Sequence, residues 1–211
     1  MAKLLRIMTY NVHRCVGLDG RLSPERIAEV IASCQADIVA LQELDVGRAR
    51  TGGVDQAHLI ARELDMEMHF HPALRVLEEL YGDAILSMLP LRQMKAAGLP
   101  RLRRWPGLEP RGALWSSVDL GGTHLQVINT HLGLLARERL TQVDALLGPE
   151  WLGRHDCRGP AILLGDFNAG PLSRTYRCLA SKFRDAQRSL EPARRQATFP
   201  TRAPFRCIDH V

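Results

Sequence analysis

The stretch Ile162-Leu163-Leu164-Gly165-Asp166-Phe167-Asn168-Ala169-Gly170-Pro171 decides how the rest of the chain is read. A short apolar run stops abruptly at two short polar side chains. It reads as a buried strand that delivers Asp166 and Asn168 to its C-terminal edge. Side chains alternate along extended chain, so these two point one way and Phe167 points back into the packing. A carboxylate and an amide on a rigid strand end suit work on one metal ion or one phosphate. Gly, Asp and Asn are also turn formers, so the tetrapeptide alone is equally a plain turn.

The bulk numbers set the frame. A chain of 211 residues, 45% hydrophobic, is one globular domain spanning 1–211 with enough residues for a full core. No apolar run is long enough to span a bilayer, and the N-terminus has no signal-peptide pattern. Five scattered cysteines form no CxxC pair, which predicts reduced thiols in a cytoplasmic protein. The net charge of +5 and a pI near 9.2 lean weakly toward an anionic partner. Lysine occurs only at positions 3, 95 and 182, and asparagine only at 11, 129 and 168. Such scarcity points to a GC-rich coding bias. Asparagine should then persist mainly where its amide is needed, and all three sit at predicted strand ends.

Taken in order, Leu4 to Val12 reads as a strand ending in Thr9-Tyr10-Asn11. Ser23-Pro24 opens a helix whose buried face should carry Ile27, Val30, Ile31 and Cys34. Asp37 to Glu43 is a second buried strand, expected to pair in parallel with the first. Leu44 to Val54 reads as a polar loop and Asp55 to Leu64 as a helix. Met66 to Pro72 and Asp83 to Leu89 read as strands. Arg101 to Pro106 is a basic loop with one aromatic. Ala113 to Leu120 and Thr123 to Thr130 flank a Gly121-Gly122 hairpin turn. Helical spacing follows at Leu140, Val143, Leu146 and Leu147, then the strand Ala161 to Asp166 and a helix from Ser173 to Ala180. Ile208-Asp209-His210 enters a further strand. Helices interleaved with parallel and hairpin strands predict an α/β (α+β) layered sandwich, sheets inside and helices outside.

Strand after strand ends in a polar group: Asn11, Glu43, His131, Asp166 with Asn168, and Asp209. Each could singly be a loop cap, a solvated end or a core histidine. Strand ends of one edge gather in space, however, and the set suits metal-assisted attack on phosphorus. Oxygen ligands without cysteine favour Mg²⁺ or Mn²⁺ over Zn²⁺. A carboxylate can orient or deprotonate water, while an amide and an imidazole donate to phosphoryl oxygens.

The motifs Thr9-Tyr10-Asn11, Gln42-Glu43, Tyr81-Gly82-Asp83-Ala84-Ile85-Leu86-Ser87, Asn129-Thr130-His131-Leu132-Gly133, Gly165-Asp166-Phe167-Asn168 and Ile208-Asp209-His210-Val211 run through almost the whole chain. In that order they resemble the endonuclease/exonuclease/phosphatase superfamily, of pancreatic-deoxyribonuclease-like fold and bacterial metal-dependent hydrolase type. The resemblance implies a four-layer sandwich of two central mixed sheets flanked by helices, with divalent-metal phosphoesterase activity. It implies Glu43 as main metal ligand with Asn11 beside it, and His131 as a donor to the phosphate. Asp166 and Asn168 would handle water and phosphate, and Asp209 matches the carboxylate that orients the family's catalytic histidine. Arg111 and Asn129 are candidate substrate-binding residues, although Arg111 could instead be paired with Glu109.

The family normally carries a further strand with Ser-Asp-His, and this sequence does not contain it. The expectation is therefore a fold lacking its last strand or strands at the C-terminus, as a piece of a longer enzyme or a degenerate member. His210 follows Asp209 and should point the opposite way, so it reads as structural. The expected function is phosphodiester hydrolysis by a monomer, on nucleic acid or a phospholipid headgroup. The alternatives are a phosphomonoesterase on a sugar or inositol phosphate, and a non-catalytic phosphate- or metal-binding relative.

Overall fold

The computed structural model describes residues 4–102, 107–190 and 196–211. Most of the basic loop singled out above, positions 103–106, lies outside the described residues. Among the described residues nine strands form two sheets: β1 (Ile7–Asn11), β2 (Ile38–Val46), β4 (Glu79–Ser87) and β3 (Glu67–Val76) in that order, and β5 (Leu91–Gly98), β6 (Gly112–Asp119), β7 (His124–His131), β8 (Ala161–Asp166) and β9 (Asp209–His210). The helices are α1 (Pro24–Cys34), α2 (Gln56–Glu63), α3 (Ala136–Leu147) and α4 (Arg174–Ala180).

Alternation along the strands explains the layering. On β2, Val39 and Leu41 face Ile27, Ile31 and Ile60 of α1 and α2. Ile38 and Ala40 turn the other way, onto Leu114, Val127 and Leu164 of the second sheet. The outer face of that second sheet, through Trp115, Ile128 and Leu163, receives Val143 and Leu146 of α3 and Leu179 of α4. The order is helix, sheet, sheet, helix: the four-layer sandwich with two central mixed sheets. A strand buried on both faces must be apolar on both, which is why β2 begins as an unbroken Ile-Val-Ala-Leu run.

Each sheet contains one parallel pair. Ile7 to Asn11 align with Ile38 to Gln42, and Gln126 to His131 align with Ala161 to Asp166. A parallel return needs a crossover, and α1 and α3 lie within the two connections. Ser23 caps α1 by accepting from the Arg26 N–H at 3.1 Å, and Pro24 follows at the first helical position.

Several sequence expectations change. Val30 and Cys34 are exposed, and α1 instead buries Pro24, Ile27, Ala28 and Ile31. The stretch after Glu43 is not loop at once, because a bulge between Leu41 and Leu44 carries β2 on to Val46. Strand β5 had no period-two signal, since Leu-Arg-Gln-Met-Lys-Ala-Ala is an edge strand with its own register break. Helix α3 buries Glu138 and Gln142 besides its apolar stripe. Gln142 accepts from the Gly133 N–H at 2.8 Å and so ties the loop after β7 to the helix.

Candidate active site

The C-terminal ends of both parallel pairs meet at one edge of the sandwich, and Asn11 joins them. Its Nδ2 donates to Glu43 Oε1 at 2.9 Å and to Asp166 Oδ2 at 3.1 Å, bridging the two sheets. Glu43 sits in the β2 bulge with φ of 62°, a left-handed backbone that carries its side chain to the edge.

On the other side, Gly165 permits the close approach that sets His131 beside Asp166. Its φ is 140°, and a Cβ there would collide with the Thr130 carbonyl. Asp166 is buried. Its Oδ1 accepts from the Asn168 backbone N–H at 2.8 Å, a local turn that holds Asn168 at φ of 48°. Asn168 Nδ2 donates to the Leu132 carbonyl at 2.9 Å and lies 3.1 Å from His131 Nε2.

The His131 ring is held between two polar neighbours. Arg111 Nη1 lies 3.2 Å from Nδ1 and also donates to Glu109 Oε2 at 2.6 Å. A guanidinium and an amide NH₂ both only donate, so donor groups face both ring nitrogens, Arg111 at Nδ1 and Asn168 at Nε2, with Asp166 Oδ2 3.6 Å from Nε2. Burial, with the nearby Arg111 charge, holds the His131 pKa well below its usual value. The ring is thus neutral at neutral pH. The His131 ring and the Asn168 amide therefore meet at this edge beside Asp166.

The carboxylates move the other way. Burial, reinforced by the Asp209 charge, lifts Asp166 to about 6. Burial lifts Asp83, on β4, to about 7, although Arg111 opposes the shift. Asp209 is also raised, first by burial. It lies opposite Asp166 in the β8–β9 ladder. His210 turns to the opposite face: its Nε2 is 2.8 Å from the Ala169 carbonyl, and its ring packs 5.2 Å from Phe167 and 5.1 Å from Tyr176. It lines an apolar cavity of about 180 Å³ with Phe167, Tyr176 and Leu179, behind β8 and away from Asp166.

Asn129 is the correction. It is fully buried, donates to the Leu41 and Ala84 carbonyls at 2.9 and 2.8 Å, and accepts from Gln42 Nε2 at 2.8 Å. Its amide bridges the two sheets beneath the bulge and has no exposed face for a substrate. Arg111 is placed behind His131 rather than at the mouth. Sequence reading passed over Asp83, although a lone acid in an apolar strand was a signal, and over His13, which lies 3.3 Å from Glu43.

Among the described residues no group of three His, Cys, Asp or Glu side chains stands ready to enclose a metal. Glu43, a part-buried carboxylate at this edge, fits Mg²⁺ or Mn²⁺ nonetheless, because Mg²⁺ takes one or two carboxylates and keeps several waters; Asn11 would join it by turning its Oδ1 from the His13 N–H. An all-oxygen set at an open edge does not fit a structural Zn²⁺ site.

The model of the "Endonuclease/Exonuclease/phosphatase family" matches residues 8–211. No curated protein matches the chain. Among solved structures, an endonuclease/exonuclease/phosphatase from Beutenbergia cavernae is 24% identical with a TM-score of 0.78, covering 98% of this chain and 63% of that one. This chain therefore spans less than two thirds of that relative's length. A mannosyl-6-phosphatase from Bacteroides thetaiotaomicron is 19% identical with a TM-score of 0.74, covering 98% and 84%. The human Nocturnin catalytic domain with bound sulfate is 20% identical with a TM-score of 0.68, covering 98% and 81%. At these identities the likeness is one of fold.

Proposed function

The chain belongs to the endonuclease/exonuclease/phosphatase family, and on that premise we propose that it is a divalent-metal-dependent phosphodiesterase. The observation that carries the reading is the bridge from Glu43 through Asn11 to Asp166, which makes one site from two sheet edges. Bound at Glu43 and Asn11, Mg²⁺ or Mn²⁺ would supply positive charge to a phosphoryl oxygen. Asp166, poised near 6, orients a water and accepts its proton as the oxygen attacks phosphorus. The Asn168 amide and the His131 ring, which contact each other without substrate, would turn to donate to the non-bridging oxygen as charge builds there. Arg111 lies behind His131 and holds the ring in place. Asp209 acts on Asp166 through its charge.

A diester is favoured over a monoester by the charges at the edge. Glu43, Asp83, Asp166 and Asp209 outnumber Arg111, the one buried cation among the described residues, itself paired with Glu109. Such a site accepts the single charge of a diester more readily than the double charge of a monoester. Nucleic acid and phospholipid headgroups both offer that diester. Among the described residues no helix is long and apolar enough to cross a membrane. A monomer working in the cytoplasm completes the proposal.

The test is a phosphoester panel with added Mg²⁺ or Mn²⁺: DNA, a phosphodiester of a simple phenol, a phospholipid, and sugar or inositol monophosphates. Turnover of a diester above the monoesters is expected. Turnover of a monoester alone would replace this reading with the phosphomonoesterase.

A further inference from the structure

Immediately after β1 the chain makes a turn that its sequence does not favour. His13, Arg14 and Cys15 have φ of 47°, 58° and 57°, three successive left-handed residues with no glycine among them. Such backbone is unfavourable and persists only where its surroundings hold it. Here Cys15 is buried, the Arg14 carbonyl accepts from Gln56 Nε2 at 2.8 Å, and the Ser23 N–H donates to the Cys15 carbonyl at 2.9 Å. The His13 N–H donates to Asn11 Oδ1 at 3.1 Å.

The product of the turn is the placement of one ring. The His13 side chain is 63% exposed, so packing does not require it. Its Nδ1 lies 3.3 Å from Glu43 Oε2, and Arg14 Nη2 lies 2.9 Å from its Nε2. Arg14 only donates, so Nε2 is bare and the hydrogen sits on Nδ1, directed at Glu43. Glu43 is therefore held at both oxygens, Oε1 by Asn11 and Oε2 by His13. Asn11 and His13 are themselves joined through the His13 N–H, which closes a three-residue ring. As a surface contact alone the pair would be worth little. A strained turn that delivers an exposed imidazole to this particular carboxylate, with the tautomer set by the next residue, has a use in fixing that carboxylate's rotation.

We propose that His13 is a positioning residue for Glu43, orienting its carboxylate toward the cation, with Arg14 setting the His13 tautomer. The inference rests on the reading of Glu43 as the metal ligand. It predicts that His13 acts from behind Glu43 and does not itself bind the ion.

Mn²⁺ titration of the metal-free full chain, read by the paramagnetic resonance of free Mn²⁺, tests this without any activity measurement. His13→Gly keeps the left-handed turn and removes the donor, and should weaken Mn²⁺ binding about 10–100-fold, as loss of an outer-shell partner does. His13→Asn tolerates the same backbone and places an N–H near the Nδ1 position, and should bind within about threefold of the unaltered chain. Unchanged affinity in His13→Gly, with the unaltered chain binding Mn²⁺, overturns this inference alone. Nitrogen hyperfine coupling from His13 to bound Mn²⁺ overturns it also. Failure of the unaltered chain to take up Mn²⁺ overturns the metal reading and the inference with it. The ring is exposed, so circular dichroism of both variants should match the unaltered chain.

Discussion

The two strand-end edges that meet at the site are built on one plan and end in opposite electrostatic states. Both come from a parallel pair whose last residues lie side by side, Asn11 with Gln42 and His131 with Asp166. At the β1–β2 edge the acidic group, Glu43, is only partly buried and is reached through left-handed backbone at 13–15 and 43. At the β7–β8 edge the functional groups are buried, and the cost appears in their proton affinities: Asp166 rises to about 6 and His131 falls. The first edge stores its cost in backbone conformation and leaves a carboxylate partly open, which suits a cation. The second stores it in desolvation, which suits a poised base and a neutral donor.

That contrast can be broken most forcefully at the buried edge. Asp166→Asn removes the proton acceptor while keeping the fold, and should lower kcat by roughly 10²–10⁴-fold. His131→Ala removes one of the two groups that would donate to the non-bridging oxygen, and should cost about 10²–10³-fold in kcat. Steady-state rates on a diester at saturating Mg²⁺ check both, and a loss of less than about threefold in either would remove that residue from the chemistry.

A smaller effect sharpens the comparison through pH. The folded pKa of Asp166 lies above its unfolded value of 3.8, so the proton is held more tightly in the folded state. The resulting stability is full below about 4 and is lost as pH rises through about 6. Metal-free protein should therefore lose melting temperature across that window, and Asp166→Asn should lose less. Added Mg²⁺ should restore stability more at pH 8 than at pH 5, because its charge at Glu43 offsets the ionised Asp166 nearby. An Asp166→Asn profile parallel to that of the unaltered chain would show that burial does not act on Asp166 as described.

How much of this could be read from the chain follows from the range of the forces involved. Period-two burial and Ser23-Pro24 capping are local, so β1, β2, β7, β8 and α1 were visible with their polar ends. The four-layer order followed from the alternation of helices and strands. The face of α1 was misjudged at Val30 and Cys34 because spacing gives a stripe but not its width against a neighbour. Asn129 was scarce and at a strand end, as were the other two asparagines. Only the β2 bulge, which interrupts the ladder beside Leu41 and Ala84, shows that its amide is spent between the sheets. His13 was hidden because nothing in Val-His-Arg-Cys announces a left-handed turn. Its meaning appears only once Glu43 stands beside it. Asp83 lay within a quoted motif, but its raised pKa depends on burial that only the assembled sheets create.

The central claim is that Glu43 at the open edge and Asp166 at the buried edge belong to one cation-assisted site. The most direct measurement is the rate of diester hydrolysis against Mn²⁺ concentration for the unaltered chain and for Glu43→Gln. The account predicts turnover that requires the cation in the unaltered chain, and a Glu43→Gln response that needs at least about tenfold more Mn²⁺ or disappears. Turnover independent of the cation, or superimposable curves for the two proteins, would contradict it.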